Sequence, residues 1–468
     1  MHEVEHLING SWGAGSGTGE LVVRSPFDGE PVTRVPIASE ADVAAAVTAA
    51  RAAAPGWART AAGVRAAALH AAADAVAEAA DELARTMSAE MGKPVDGARE
   101  SIGAGVGTLR QYAELGPVHR GRALAGDDQA VDLMAYGPRG VVAVITPWND
   151  PVAVSCGLLG AALVTGNTVL YKPSERTPAT GWRLARLMAP HFPAAVFSLL
   201  NGDGSVGAAL AGSAVDVVAQ VGSTATGRSI AAACARTGAK ALLENGGSDP
   251  LIVDAGVDPV WAARQAALGA FANSGQICVA VERVYVHRQV AAEFVAALAA
   301  EAGTWAGEVG PLVDRRLRDA VHSQVEDAVA AGARLVCGGV VPDGPGAHYP
   351  PTVLAECTDD MAVLREETFG PVAPVVTVDS FDEGLARAAD SPYGLAATVL
   401  TGSMSNAQRA WRELPVGTVK VNAVFGGAPG GAAHPRRGSG QGFGYGPELL
   451  DEMTVTKAVH LEAPPSGW

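Results

Sequence analysis

One cysteine stands out for its surroundings. The stretch Phe271 to Ala280 reads FANSGQICVA, and its run of Asn, Ser, Gly and Gln describes a turn that holds the Cys278 thiol at the mouth of a polar pocket. A thiolate adds readily to an electrophilic carbon. To turn over, it needs a base, a donor for the oxyanion that forms and an acceptor for the electrons that leave. Those three partners must come from elsewhere in the chain.

Three other stretches have ligand-binding chemistry. Gly202-Asp203-Gly204-Ser205-Val206-Gly207 matches G-x-G-x-x-G between a strand and a helix, where backbone amides can approach a pyrophosphate. With 57 glycines in the chain, a simple tight turn explains the match equally well. Gly222-Ser223-Thr224-Ala225-Thr226-Gly227 follows a strand and opens a helix, so Ser223 is either a phosphate contact or an ordinary N-cap. In LYKPSERTP, Lys172 and Glu175 sit just past the C-terminal end of an apolar strand, the place where open α/β sheets bind ligands. A cation and a carboxylate there can grip ribose hydroxyls, or simply be solvated.

The elements that must position these residues follow from hydrophobic period. Residues 1 to 37 hold short strand-like pieces, and from Ser39 to Leu115 an Ala-rich, helix-period region predicts three helices. Gly121 to Tyr136 is polar and extended, an arm or hairpin. Beyond Arg139, short apolar runs alternate with amphipathic helices through ALLENGG, the signature of a parallel, doubly wound sheet. A second alternating series has strands near Leu251 to Val253, Val284 to His287, Leu335 to Cys337, Val372 to Val378, Thr398 to Thr401 and Thr418 to Asn422. The terminal TVTKAVHLE alternates at period two and predicts pairing with another strand, including one from a second subunit.

Composition bounds the reading. A chain of 468 residues predicts two large domains, or two and a small appendage. The net charge of −15 argues against a nucleic-acid partner. Five scattered cysteines without a CxxC pair predict neither a disulfide framework nor a metal site, and fit reduced cytoplasmic thiols. The N-terminus lacks a signal-peptide pattern. Pro151 to Tyr171 has no charge, but Gly166-Asn167-Thr168 divides it into a buried helix and a strand, so no membrane span is expected.

Together, ITPWND, GNTVLYKPSERTP, VGSTATGR, LLENGG, FANSGQIC, EETFGP and SPYGLAATV stand in an order and spacing that resembles the NAD(P)-dependent aldehyde dehydrogenase superfamily over nearly the whole chain. The resemblance implies two doubly wound α/β domains, a Rossmann-like cofactor domain (1–117 and 140–246) and a catalytic domain (247–450), with a small β oligomerisation arm (118–139 and 451–468). It implies Cys278 as nucleophile, Asn149 as oxyanion donor and Glu244 as the base that activates water against a thioester. It puts Thr146, Pro147, Trp148, Lys172, Ser174, Glu175, Gly204, Gly222, Ser223, Glu367 and Phe369 along the cofactor. Glu175 would repel a 2′-phosphate and can bond a 2′-hydroxyl, which favours NAD over NADP.

Three places depart from that pattern. Asp150, Gly157 and Leu158 stand where aromatics and a proton-relaying lysine are common, and Asn245 and Ser248 where Leu and Lys are usual. The C-terminal AAHPRRGSGQGFGYG is also unusual: His434, Arg436 and Arg437 form either a solvated or subunit-contact loop or a cationic mouth that would favour an anionic semialdehyde. The expectation is a cytoplasmic, NAD-dependent oxidation of an aldehyde to its acid by a homodimer or homotetramer. A CoA-acylating enzyme and a catalytically silent relative are the alternatives. Which aldehyde is used is not legible.

Overall fold

The protein is described by a computed structural model covering residues 1–426 and 431–464. Positions 465–468 of the expected arm lie outside the described residues. The fold is mixed α/β, built on two parallel-strand sheets.

The first sheet has eight strands, in the spatial order Gly440–Gln441, Lys240–Glu244, Val217–Val221, Val141–Ile145, Thr168–Lys172, Phe197–Leu199, His6–Ile8 and Ser11–Gly13. The five from Lys240–Glu244 to Phe197–Leu199 run parallel. VVAVI and TVLYK are buried along their whole length because helices cover both faces, which is why they read as unbroken apolar runs. Strand order reverses at Val141–Ile145: the chain first adds Thr168–Lys172 and Phe197–Leu199 on one side, then Val217–Val221 and Lys240–Glu244 on the other. That reversal opens a crevice at the carboxyl ends of these strands.

The second sheet runs Arg334–Cys337, Thr352–Ala355, Val372–Val378, Val281–His287, Asp249–Val253, Ala396–Leu400 and Thr418–Val421, parallel except at the first edge. The expected strands are present. Thr352–Ala355 is an addition, four buried residues too short to show a period.

The structure differs from expectation in two respects and narrows a third, the partner of the terminal strand. Four helices, not three, fill the N-terminal helical region: Glu40–Arg59, Ala62–Glu78, Ala80–Met91 and Val95–Leu115. The break at Ala79 carries no Gly or Pro, so an Ala-rich sequence hides it. The terminal strand Thr454–Glu462 pairs with Ala130–Pro138 of its own chain, from Thr454 opposite Pro138 to Glu462 opposite Ala130. Finally, the chain beyond Ser439 returns to the first sheet. Gly440 pairs with Glu244, and Leu449 and Leu450 are buried in the first sheet's core, although sequence reading puts residues up to 450 in the second domain.

Candidate active site

The helix Pro259–Phe271 delivers the loop that carries Cys278. Asn273, Ser274 and Gly275 then follow one another with φ of 51°, 58° and 74°. Two non-glycine residues in this region are strained, and the surroundings hold them there. Ser274 Oγ donates to the Gly310 carbonyl at 2.7 Å, and the buried Gln276 side chain donates to the Asn273 carbonyl (3.0 Å) and accepts from the Val313 N–H (2.9 Å). A Cβ at Gly275 would lie 2.1 Å from the Gly370 carbonyl oxygen, so this turn requires glycine twice over. The result is a rigid loop with Cys278 at its end, partly exposed.

Asn149 comes from the first domain. It lies just past the strand Val141–Ile145, and its Nδ2 donates to the Gln276 carbonyl at 3.0 Å. Asn273 Nδ2 donates to the same carbonyl at 3.0 Å, so both asparagines meet two residues before the thiol. Glu244 ends the strand Lys240–Glu244 and faces Gly444, where an added Cβ would fall 2.0 Å from Glu244 Oε1. Burial pushes the Glu244 carboxyl up to about 7, opposed by the Gly444 N–H. Burial also pushes the Cys278 thiol up to about 12, with Glu244, Asp249, Glu367 and Asp150 adding negative charge around it. Cysteine, asparagine and glutamate thus arrive from three separate stretches and share one site.

The crevice at the strand reversal widens into a cavity of about 750 Å³. Thr146, Pro147, Trp148, Lys172, Ser174, Glu175, Gly204, Gly222 and Ser223 all line it. Lys172 is buried, its Nζ bonded to the Pro173 carbonyl (3.1 Å) and 3.8 Å from Glu175, and burial lowers its pKa while Glu175 raises it. Ser223 caps the helix Thr224–Thr237 by accepting from the Thr226 N–H, so it is both an N-cap and part of the cavity wall. Such a cavity, with a buried cation and a helix N-terminus, fits an extended dinucleotide.

Glu367 and Phe369 lie outside that wall, on the thiol side. Glu367 accepts from the Gly247 N–H at 3.0 Å, and burial pushes its carboxyl up to about 7. Phe369, with φ of 54°, meets Trp148 edge to face at 5.4 Å. The buried Glu282 carboxylate, missed in the sequence, fixes this loop by accepting from the N–H groups of Thr368 (3.0 Å) and Phe369 (2.8 Å). Its signal was a charge inside the apolar strand that follows Cys278. Gln276 was equally missed.

The departures from pattern also have places. Leu158 is buried in the first core. Asp150 is held by Ser101 Oγ and lies 3.9 Å from Lys93 Nζ. His434 and Arg437 do not form a free cationic mouth. His434 Nε2 accepts from the Gly442 N–H at 3.1 Å, and the Arg437 guanidinium donates to the carbonyls of Ala389 (2.8 Å) and Ser391 (2.5 Å). Both side chains stabilise loop backbone instead.

Among known proteins, the profile of the aldehyde dehydrogenase family matches residues 12–459. A Mycolicibacterium smegmatis protein, provisionally named succinate-semialdehyde dehydrogenase (NADP+), is 36% identical over 455 residues, spanning 93% of this chain and 88% of that protein. The 3,6-anhydro-alpha-L-galactose dehydrogenase of Streptomyces coelicolor is 37% identical over 478 residues, spanning 97% of this chain and 96% of its own. The crystal structure of an indole-3-acetaldehyde dehydrogenase complexed with NAD+ superimposes with a TM-score of 0.95 at 33% identity, covering 99% of this chain and 97% of the other.

Proposed function

The chain belongs to the aldehyde dehydrogenase family, and from that premise we propose that it oxidises an aldehyde to the carboxylic acid through a covalent Cys278 adduct. The observation that carries this reading is the meeting of Asn149 and the Cys278 loop at the Gln276 carbonyl, with Glu244 close enough to act on the thiol.

The Cys278 thiol gives its proton to solvent water, its sulfur adds to the carbonyl carbon, and the C=O pair moves to oxygen as an alkoxide. The free N–H of Asn149 and the backbone amide of Cys278 donate to that oxygen. NAD, when bound in the cavity beside Trp148, supplies the hydride acceptor that turns the adduct into a thioester. Glu244 then takes a proton from water, hydroxide adds to the thioester carbon, and the C–S bond breaks to release the acid and the thiolate. A carboxyl pushed up to about 7 suits this work, since a base near the working pH both accepts and returns the proton.

Glu175, beside Lys172 in the cavity, supports NAD. A second reading, use of NADP, has its own support: Arg316 joins Arg176 in the wall at the Glu175 end, close enough for the two guanidiniums to repel each other. An anion between them would relieve that repulsion. The three-stranded arm exposes Leu124, Val131, Val455 and Leu461, which supports assembly as a homodimer or homotetramer. The free cysteines support a cytoplasmic location.

The test is NADH formation over an aldehyde panel that includes succinate semialdehyde and 3,6-anhydro-L-galactose, with NAD and NADP compared. Cys278→Ala is expected to abolish turnover. Acyl-CoA as the product in the presence of CoA, or no turnover across the panel from folded protein that binds NAD, would overturn the reading.

A further inference from the structure

Glu90 is a buried carboxylate at the end of the helix Ala80–Met91, only 1% exposed. Its Oε1 accepts from Thr33 Oγ1 at 2.8 Å and from the Ala179 N–H at 2.9 Å. Its Oε2 accepts from the Thr180 N–H at 2.9 Å and from Thr180 Oγ1 at 2.8 Å. Each oxygen thus takes two donors, the pattern that an ionised carboxyl satisfies in full. Burial pushes its pKa up to about 7, opposed by those same donors.

The donors of Ala179 and Thr180 belong to the first turn of the helix Pro178–Met188. A helix leaves its first N–H groups unpaired, and a negative charge beside them is favoured. Thr177, at the N-cap, does not serve them: it makes no side-chain cap bond, and its buried Oγ1 has no hydrogen-bond partner among the described residues. Glu90 supplies the cap from 89 residues away. An apolar side chain there would leave those groups buried and unpaired.

The start of that helix is joined closely to the loop after the strand Thr168–Lys172. The Thr177 N–H donates to the Ser174 carbonyl at 3.1 Å, and the Gly181 N–H to the Thr177 carbonyl at 3.1 Å. A Cβ at Gly181 would lie 2.3 Å from Pro173 Cβ and 3.1 Å from the Tyr171 hydroxyl oxygen, so helix and loop are in tight contact. The Pro173 carbonyl in turn holds Lys172 Nζ at 3.1 Å. A shift at Ala179 and Thr180 would therefore reach Lys172, Ser174 and Glu175, all in the wall of the cofactor cavity. Glu90 lies behind this loop, lining a neighbouring cavity that also meets Glu175 and Arg176.

We propose that Glu90 is a positioning residue for the dinucleotide: by capping the helix Pro178–Met188 from behind, it fixes the loop through which Lys172, Ser174 and Glu175 hold the cofactor. This rests on that cavity being the cofactor site, as proposed above. It gives a role to a buried charge that touches neither cofactor nor substrate.

The test is the Kd for NAD and for NADP, measured by isothermal titration calorimetry without any aldehyde, at pH 8.5, above the carboxyl's value of about 7. Glu90→Gln keeps the shape but turns an amide N–H toward groups that donate. It is expected to raise the Kd of whichever dinucleotide the wild type binds by about tenfold. Thr33→Val removes a donor from the same carboxylate on the strand side, away from the helix, and is expected to keep the Kd within about twofold of wild type. Thr180→Val, a milder change for folding than Glu90→Gln, removes the helix-side hydroxyl and is expected to raise the Kd about threefold. Circular dichroism and thermal melting establish that each variant is folded. A folded Glu90→Gln with the wild-type Kd, or a Thr180→Val Kd no higher than that of Thr33→Val, would overturn the proposal while leaving the cavity as the cofactor site. A wild type that binds neither dinucleotide would sink both readings.

Discussion

Asn149 Nδ2 donates to the Gln276 carbonyl at 3.0 Å, tying the turn after the strand Val141–Ile145 of one sheet to the loop that carries the thiol on the other. The bond spans 127 residues of chain and aligns the proposed oxyanion donor with the nucleophile. Removing the amide should therefore act on the chemical step. Asn149→Ala is expected to lower kcat by about 10²–10³, the usual cost of losing one oxyanion donor, with NAD affinity within a few-fold of wild type. Single-turnover kinetics check it, and a change confined to KM would contradict the role.

Glu244 should set the pH profile of deacylation. It acts as a base only when ionised, and burial pushes its carboxyl up to about 7, so steady-state rate is expected to rise as the pH passes upward through 7. In Glu244→Gln the rise should vanish while a single burst of NADH persists, because thioester formation does not need the water. Stopped-flow absorbance across pH 5.5 to 9 distinguishes the two phases.

Gly444 should be irreplaceable for a reason of space. An added Cβ would fall 2.0 Å from Glu244 Oε1, so Gly444→Ala must push the carboxylate aside. We expect a fall in steady-state kcat of at least tenfold, an undiminished burst and a melting temperature within a few degrees of wild type, by analogy with other misplacements of a catalytic group. Loss of the burst would mean that the glycine serves folding or cofactor binding instead.

Arg316 should discriminate between the two cofactors. Its guanidinium lines the cavity at the Glu175 end, beside Arg176, which is itself held by Asp314 at 2.9 Å and stacked over Trp148 at 5.2 Å. Arg316→Ala is expected to raise KM for NADP about tenfold and change KM for NAD less than twofold, since only NADP brings a second phosphate to that end. Equal effects on both cofactors would remove the argument for NADP.

Much of the site was legible because its residues have strong local signals. Cys278 follows a polar turn, Lys172 and Glu175 follow an apolar strand, and Ser223 opens a helix. Less visible were the groups that hold these residues in place. Glu282 and Gln276 act by accepting from backbone N–H groups far along the chain, and nothing in their immediate neighbours shows which. The break at Ala79 was hidden for a related reason, since alanine is compatible with both the helix and its interruption. His434, Arg436 and Arg437 left two readings open. Three basic residues suggest an anion site, yet two of them are occupied by loop carbonyls and an amide.

By itself the sequence determined the alternating α/β architecture, because period and turn chemistry are local, and it singled out the thiol, amide and carboxylate of the candidate site through the motifs that carry them. Only the tertiary structure decided what surrounds the thiol. The return of the C-terminal loop puts Gly444 against Glu244, and the turn at Gly247 brings Asp249 against the Cys278 carbonyl. Electrostatic fields depend on distance in space and on burial, which no spacing along the chain encodes.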